Sequence, residues 1–140
     1  MASSSLGLVS ARFLSLAAHF IITISIFWAR EDNVKAGLGL DFTTQEYDDK
    51  DTSLIVALSL TLACMLVEIV GFFGGVTTFM QTISLLSMCL HSVACITLAF
   101  FVWDIWDCDL YWVLFAIFSA LPAAVETVAI VGFVGFSKLC

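Results

Sequence analysis

Residues 54–76 read LIVALSLTLACMLVEIVGFFGGV, an apolar run in which Glu68 is the one ionisable side chain. An α-helix needs about 20 mainly apolar residues to cross about 30 Å of hydrocarbon. This run therefore predicts a transmembrane helix. Three further apolar segments of comparable length occur at residues 6–29, 81–103 and 110–136. The predicted fold class is all-α, an integral membrane four-helix bundle in which residues 1–140 form a single domain.

Composition supports a membrane protein over a soluble one. Apolar residues make up 61% of the 140 residues, against roughly 45–50% in ordinary soluble domains. A soluble chain of this length has too little interior to bury so much apolar surface. One proline, eight glycines and no alternating pattern favour helices over a β-barrel. The net charge of −7 argues against nucleic-acid binding.

The first segment has a rival interpretation as a cleavable signal peptide. Its apolar run is longer than a usual signal core, His19 interrupts it, and no small-x-small cleavage site follows. We therefore expect a retained helix.

The acidic loop at residues 30–53 is the one long connection that we expect, and four crossings place it opposite both termini. Positive charge decides the orientation poorly, since Arg12 and Lys138 lie on the terminal side and Arg30, Lys35 and Lys50 on the other. We expect cytosolic termini.

Each predicted span contains one ionisable residue near its middle: His19, Glu68, His91 and Glu126. At 1.5 Å per residue they lie roughly 15–24 Å from the loop-side helix ends. They therefore form one predicted buried polar layer. Pairing of Glu68 with His91 and of Glu126 with His19, or protonation of the glutamic acid, would avoid the cost of a lone buried carboxylate.

Such a layer has a functional and a structural interpretation. Glutamate and histidine can act as acid and base in a proton relay, an ion path or an intramembrane active site. A metal site would need ligands from four helices without a paired motif, and the five cysteines form no C-x-x-C pair. We favour interhelical bonding, and predict no catalytic residue, cofactor or metal.

Small residues at helical spacing predict close helix packing. They are Gly71 and Gly75 in the second span, and Ala116, Ala120 and Ala124 in the fourth. Pro122 is expected to kink the fourth helix.

Every tryptophan and tyrosine is predicted on the loop side of the membrane. Such residues favour the membrane–water interface, and they also favour protein interfaces. The predicted interfacial or partner-facing set is Trp28, Glu46, Tyr47, Trp103, Trp106, Tyr111 and Trp112.

Several stretches together resemble one family across essentially the whole chain. They are SARFL at 10–14, FWAR at 27–30, FTTQEYD at 42–48, ALSLTL at 57–62, VEIVGF at 67–72, the His91 region, and Tyr111-Trp112 followed by SALPA at 119–123. The chain resembles the transmembrane protein 107 family, small tetraspan proteins of the ciliary transition zone.

The resemblance implies a non-enzymatic assembly subunit of the Meckel syndrome complex. It implies partners among tectonic proteins, meckelin and B9-domain proteins, together with membrane lipids, and a role in cilium formation, ciliary membrane composition and Hedgehog signalling. An intramembrane enzyme or lipid-binding protein using the Glu and His layer is the alternative, and a proton or ion conductor is a third possibility.

Overall fold

The computed structural model describes residues 2–78 and 80–137, and within these ranges the chain is helical with no strand. The elements are α1 (Ala2–Ala29), α2 (Glu31–Ala36), α3 (Thr44–Phe73), α4 (Gln81–Trp103), α5 (Leu110–Phe115), a π-helical turn (Ala116–Ala120) and α6 (Leu121–Ser137). Four stretches are long and apolar enough to span a membrane: Leu6–Ala29, Thr44–Phe73, Gln81–Trp103 and Leu110–Ser137. The predicted all-α membrane fold is confirmed, and the chain is a multi-pass membrane protein.

The acidic connection is more ordered than we expected for a loop at residues 30–53. It contains α2, and α3 begins at Thr44, ahead of the expected start at residue 54. A capping box explains the early start: the Thr43 hydroxyl accepts from the Glu46 N–H (3.3 Å), and the Glu46 carboxylate accepts from the Thr43 N–H (2.7 Å). This pair satisfies backbone donors that a helix start leaves free.

The far end of α3 also differs from the prediction. The helix ends at Phe73, so Gly75 lies in the following turn with φ +73°, a left-handed conformation that glycine adopts without strain. A Cβ at Gly75 would meet no neighbouring atom within 4 Å. The prediction of Gly75 as a helix-packing residue is wrong, because the residue serves the turn. Thr77 then folds back into the bundle and is fully buried.

The fourth span is irregular at its centre. Pro122 has no N–H and its ring crowds the preceding turn, and the chain accommodates it by a π-helical turn in which the Leu121 N–H donates to the Ala116 carbonyl. The extra residue per turn rotates the helix. Ser119, within this turn, and Ala123, after it, face inward and are buried.

This rotation overturns the predicted packing role of the alanine ladder. Ala116 and Ala124 are exposed and Ala120 is half-buried, so this stripe faces away from the interior of the bundle. The prediction assumed a regular α-helical repeat, which the π turn interrupts.

The four spans form a bundle with a definite order of neighbours. The adjacent pairs are α1–α4, α4–α6, α6–α3 and α3–α1, with the closest packing between α1 and α4. It follows that α1 faces α6, and α3 faces α4, diagonally across the centre. The first segment, which could have been a signal peptide, is an integral member of this bundle.

Apolar packing is concentrated in the half of the bundle nearest the acidic connection. The buried cluster there consists of Ile26, Val34, Leu54, Ala57, Leu58, Leu98, Phe101, Cys108, Tyr111 and Leu114. The polar interior therefore lies mainly in the other half, toward the termini. Lys138 and Cys140 lie outside the described residues.

A buried asparagine connects α2 to the end of α4 by hydrogen bonds. Asn33 is 1% exposed, and its side-chain amide donates to the carbonyls of Phe101 and Trp106, at 2.8 Å each. The Trp106 N–H also donates to the Phe101 carbonyl (3.1 Å), across Ile105 at φ +50°. This is a Schellman ending, with isoleucine at the left-handed position that glycine usually occupies.

Candidate functional site: two buried polar clusters

The four ionisable residues predicted to be buried all lie inside the bundle. His19 and Glu126 are 1% exposed, and Glu68 and His91 are fully buried. They do not form the single layer that we expected. Instead they divide into two clusters at different depths, one of which contains a charged residue that sequence reasoning missed.

The first cluster, the His91 chain, consists of His19, His91, Glu68 and Ser87. The Nδ1 atoms of His19 and His91 lie 2.8 Å apart, and His91 Nε2 lies 2.8 Å from Glu68 Oε2. The Ser87 hydroxyl donates to the same Glu68 oxygen at 3.2 Å. The expected contact between Glu68 and His91 is therefore present, and it joins α3 to α4 across one diagonal of the bundle.

The His91 chain can be electrically neutral in more than one way. A hydrogen bond between two Nδ1 atoms requires that one of them carries a proton and the other does not. With that proton on His91, the bond to Glu68 is made either by imidazolium and carboxylate or by neutral imidazole and carboxylic acid. Moving one proton between His91 and Glu68 exchanges these forms without changing the net charge. The chain therefore avoids a lone buried charge.

The second cluster, the Arg12 cluster, consists of Arg12, Thr77, Ser84 and Glu126. Arg12 Nη2 donates to Glu126 Oε2 at 2.9 Å, and Nη1 lies 3.2 Å from Thr77 Oγ1 and 3.4 Å from Ser84 Oγ. The Thr77 hydroxyl donates to Glu126 Oε1. These contacts join α1 to α6 across the other diagonal and include the turn between α3 and α4.

Arg12 is fully buried, so its charge must be compensated within the protein. Guanidinium stays protonated in proteins, and an unpaired cation at membrane depth is costly. Glu126 supplies the opposite charge, and the Arg12 guanidinium carbon lies 5.5 Å from the centre of the Phe72 ring, within range of a cation–π contact. Arg12 was counted only as a charge on the terminal side of the first span; it lies inside α1 and forms a buried ion pair with Glu126.

Glycine at position 71 makes room for the ion pair. A Cβ at Gly71 would overlap the carboxylate of Glu126. Gly71 thus lies at a close contact between α3 and α6, as predicted, and the group that approaches it is the side chain of Glu126.

One expected pairing is wrong. Glu126 contacts Arg12 and Thr77, whereas His19 contacts His91. The reason is depth along α1, because Arg12, two turns from His19, lies at the level of Glu126.

Three buried polar atoms have no hydrogen-bond partner among the described residues: Arg12 Nε, Glu68 Oε1 and Ser119 Oγ. The space beside His19 and Ser119 is too small to admit a water molecule. Among the described residues, each acid and base of the two clusters has at least one side-chain partner within the bundle.

The predicted interfacial residues lie on the loop side, and all but Tyr111 are at least partly exposed. Trp28 and Trp103 are 86% and 85% exposed, and Trp112 donates to the Ser53 hydroxyl at 3.0 Å. Tyr111 is 1% exposed, and its hydroxyl lies 3.1 Å from Thr61 Oγ1. Its expected interfacial position is wrong, because the ring packs on Phe101 and the hydroxyl finds a partner within the bundle.

The remaining predicted interfacial residues are partly used for packing. Glu46 is exposed and caps α3, while Tyr47 and Trp106 are half-buried against the apolar cluster.

Cys108 is buried in the last connection, and burial raises the pKa of its thiol to about 11. Arg30 forms a two-pronged contact with Asp51 at 2.6 and 3.1 Å, and this hydrogen bonding raises the pKa of Arg30.

Comparison with known proteins gives a consistent result over most of the chain. A family model described as TMEM107, transmembrane protein, matches residues 8–130. A protein named Transmembrane protein 107 from Rattus norvegicus is 46% identical over 132 residues, 94% of each chain. Those of Homo sapiens and Danio rerio are 45% identical over 132 residues (94% of each chain) and 49% identical over 120 residues (86% of this chain, 89% of the relative). No solved structure matches.

Proposed function

Since the chain belongs to the transmembrane protein 107 family, we propose that it is a non-enzymatic assembly subunit of the ciliary transition zone. Its role is to place other membrane proteins in the Meckel syndrome complex, and thereby to support cilium formation, ciliary membrane composition and Hedgehog signalling. The partners proposed are tectonic proteins, meckelin and B9-domain proteins, within a lipid bilayer.

The observation that carries the non-enzymatic part is the use of every predicted acid–base residue in a helix-bridging contact. Glu68 and His91 join α3 to α4, and Glu126 joins α6 to Arg12 of α1. Both contacts cross the bundle where the helices are not neighbours. Polar pairs of this kind select one helix arrangement over others, a role attested for buried polar residues in other bundles. A rigid bundle of fixed arrangement suits a subunit whose surface is bound by partners.

Deletion of the chain in ciliated cells is the direct test. We expect the proposed partners to lose their transition-zone position, measured by immunofluorescence, and re-expression of the wild-type chain to restore it. Normal placement in deleted cells would overturn the assembly role. Proximity labelling from each terminus tests the proposed cytosolic termini in the same cells, because the two ends should label cytosolic neighbours alike.

Glu68→Gln separates the assembly role from intramembrane acid–base chemistry. Glutamine keeps the size and an acceptor for His91 but removes the titratable group. We expect this variant to restore partner placement in deleted cells. Loss of placement by a variant that folds and reaches the membrane normally would favour the enzyme alternative.

A further inference from the structure

A cleft lies on the outer surface of the acidic connection, between residues 37–42 and the first turns of α3. Its volume is about 470 Å³, and its lining includes Leu38, Asp41, Phe42, Asp49 and Lys50. We call it the loop-face cleft. It is lined by apolar groups, backbone and carboxylates, and it belongs to neither buried polar cluster.

The loop-face cleft lies beyond the reach of the lipid. The Ser53 hydroxyl is held by Trp112 at the start of the fourth span, which sets the level of the interface. From there α3 continues outward to Thr44, a distance of about 14 Å at 1.5 Å per residue. The residues just before Thr44 therefore face water.

Two large apolar side chains nevertheless stand exposed at this height. Leu40 is 102% exposed and Phe42 40% exposed, the latter stacked on Tyr47 at 6.2 Å. Lipid tails can cover exposed apolar groups along the spans but not here. An apolar patch in water, rimmed by polar residues, is typical of a surface that another protein covers.

The charge of the cleft indicates what that protein contributes. Among the described residues, Asp41 and Asp49 make no hydrogen bond or ion pair within the chain. Lys50, the basic residue of the lining, is already held by Asp109 at 2.5 Å and Asp107 at 3.7 Å. The free charge of the cleft is therefore negative, and a cation from outside complements it.

The walls are fixed before any partner binds. A Cβ at Gly37 would overlap the Asp107 carboxylate that contacts Lys50, so the cleft floor and the last connection are in close contact. The capping box at Thr43 holds the start of α3, and Asn33 holds α2. A preformed cleft loses little conformational entropy when it is occupied.

We propose that the loop-face cleft binds a segment of a partner protein in which a lysine or arginine lies beside an apolar side chain. The cation contacts Asp41 and Asp49, and the apolar side chain covers Phe42 of the cleft and extends over Leu40, which is exposed beside it in the chain. The partner exposes this segment on the same side of the membrane as the acidic connection. This inference rests on the proposed assembly function and adds the chemistry of one contact to it.

Binding is tested with the full chain in nanodiscs of neutral phosphatidylcholine. The probe is a fluorescent peptide of alternating lysine and leucine, with a glutamate–leucine peptide as its comparison, measured by anisotropy. We expect saturable binding of the basic peptide alone, weakened about tenfold by D41N with D49N and similarly by F42S, and weakened by salt.

A matched control removes the same charge elsewhere. Asp32→Asn with Asp48→Asn takes away two exposed acids that do not line the cleft, and should change affinity less than about twofold. Equal weakening by both double variants, or binding that F42S leaves unchanged, would overturn the cleft as the site. Equal binding to empty nanodiscs would assign the peptide to the lipid and overturn it as well.

The cell assay distinguishes failure of this inference from failure of the proposed function. In deleted cells, D41N with D49N should restore partner placement less well than D32N with D48N. If both restore it fully, the cleft proposal falls while the assembly function stands. If deletion itself leaves every partner in place, the assembly function falls.

Discussion

The Arg12 cluster and the His91 chain perform similar mechanical tasks with different chemistry. Each joins two helices that are diagonal in the bundle, α1 to α6 in one case and α3 to α4 in the other. The Arg12 cluster contains a cation that cannot lose its proton. The His91 chain contains groups that can share one proton and become neutral. A charge that cannot be neutralised must be paired, so the two clusters should respond very differently to loss of their acid.

Among the variants that test this comparison, Glu126→Gln should cause the largest loss of stability. The amide leaves the Arg12 cation buried without a counter-charge, and breaking a buried pair in this way costs about 3–5 kcal/mol. We expect a marked loss of stability in detergent micelles, measured by circular dichroism during thermal or denaturant unfolding.

The double variant Arg12→Met with Glu126→Met is its control. Replacing a whole buried ion pair by apolar residues of similar size is often neutral, so the double variant should be much more stable than Glu126→Gln. If the two are equally unstable, the charge of Arg12 is not the cause of the loss.

Gly71→Ala should come next, because it disturbs the same ion pair without removing any charge. The added methyl overlaps the Glu126 carboxylate, which must move from its place beside Arg12. Crowding of this kind costs about 1–3 kcal/mol. Gly132→Ala is the matched control, since a Cβ there meets nothing within 4 Å. The thermal midpoint should fall for the first variant and not for the second.

Glu68→Gln should be milder than Glu126→Gln, and this difference tests the comparison directly. Glutamine can still bond to His91 and Ser87, and neutral histidines are left rather than a stranded cation. We expect a loss of about 1–2 kcal/mol in the same unfolding assay. A loss as large as that of Glu126→Gln would show that His91 carries a fixed positive charge, and that the two clusters are electrostatically alike.

The Glu68–His91 contact was predictable from sequence, and in hindsight so was Arg12. The estimated depth of each residue below the loop-side end of its helix was enough to suggest the Glu68–His91 contact, because the two depths are similar. Counted in the same way from Ala29, Arg12 lies about 26 Å deep, close to the value of about 24 Å for Glu126. Sequence reasoning missed it because a basic residue near the start of a span was interpreted as a flank. Its partner, Glu126, lies 114 positions away in the sequence, so nothing near Arg12 indicated the pair.

The spans were predictable, but several local features were not. Apolar length gave the four helices, since the bilayer imposes that length. The early start of α3 depended on a capping box at Thr43 and Glu46, whose signal lies in two residues of a polar stretch. Pro122 signalled an irregularity in the fourth span, but not that it would take the form of a π turn with Ala116 and Ala124 exposed. Helix order arises from contacts between distant residues.

The smallest predicted difference is that between two serines one turn apart on α4, each in a different cluster. Ser84 Oγ lies 3.4 Å from Arg12 Nη1, and Ser87 Oγ donates to Glu68 Oε2 at 3.2 Å. Both are buried in the same helix. Ser87→Ala loses this one bond, whereas Ser84→Ala also loses the contacts of its hydroxyl with the Thr77 and Thr78 carbonyls, at 3.3 Å each. Bonds to a fixed charge contribute about 1.5–3 kcal/mol and neutral ones about 0.5–1.5 kcal/mol.

Ser84→Ala should therefore cost more than Ser87→Ala, by about 1 kcal/mol or somewhat less because its bond is long. The comparison is made as a difference in unfolding free energy between the two variants, each against wild type. Each serine variant is then combined with Glu68→Gln. The loss of unfolding free energy caused by Ser87→Ala should change in that background, because Ser87 bonds directly to Glu68. The loss caused by Ser84→Ala should stay the same. Coupling of Ser84 to Glu68 as strong as that of Ser87 would mean that the two clusters act as one network.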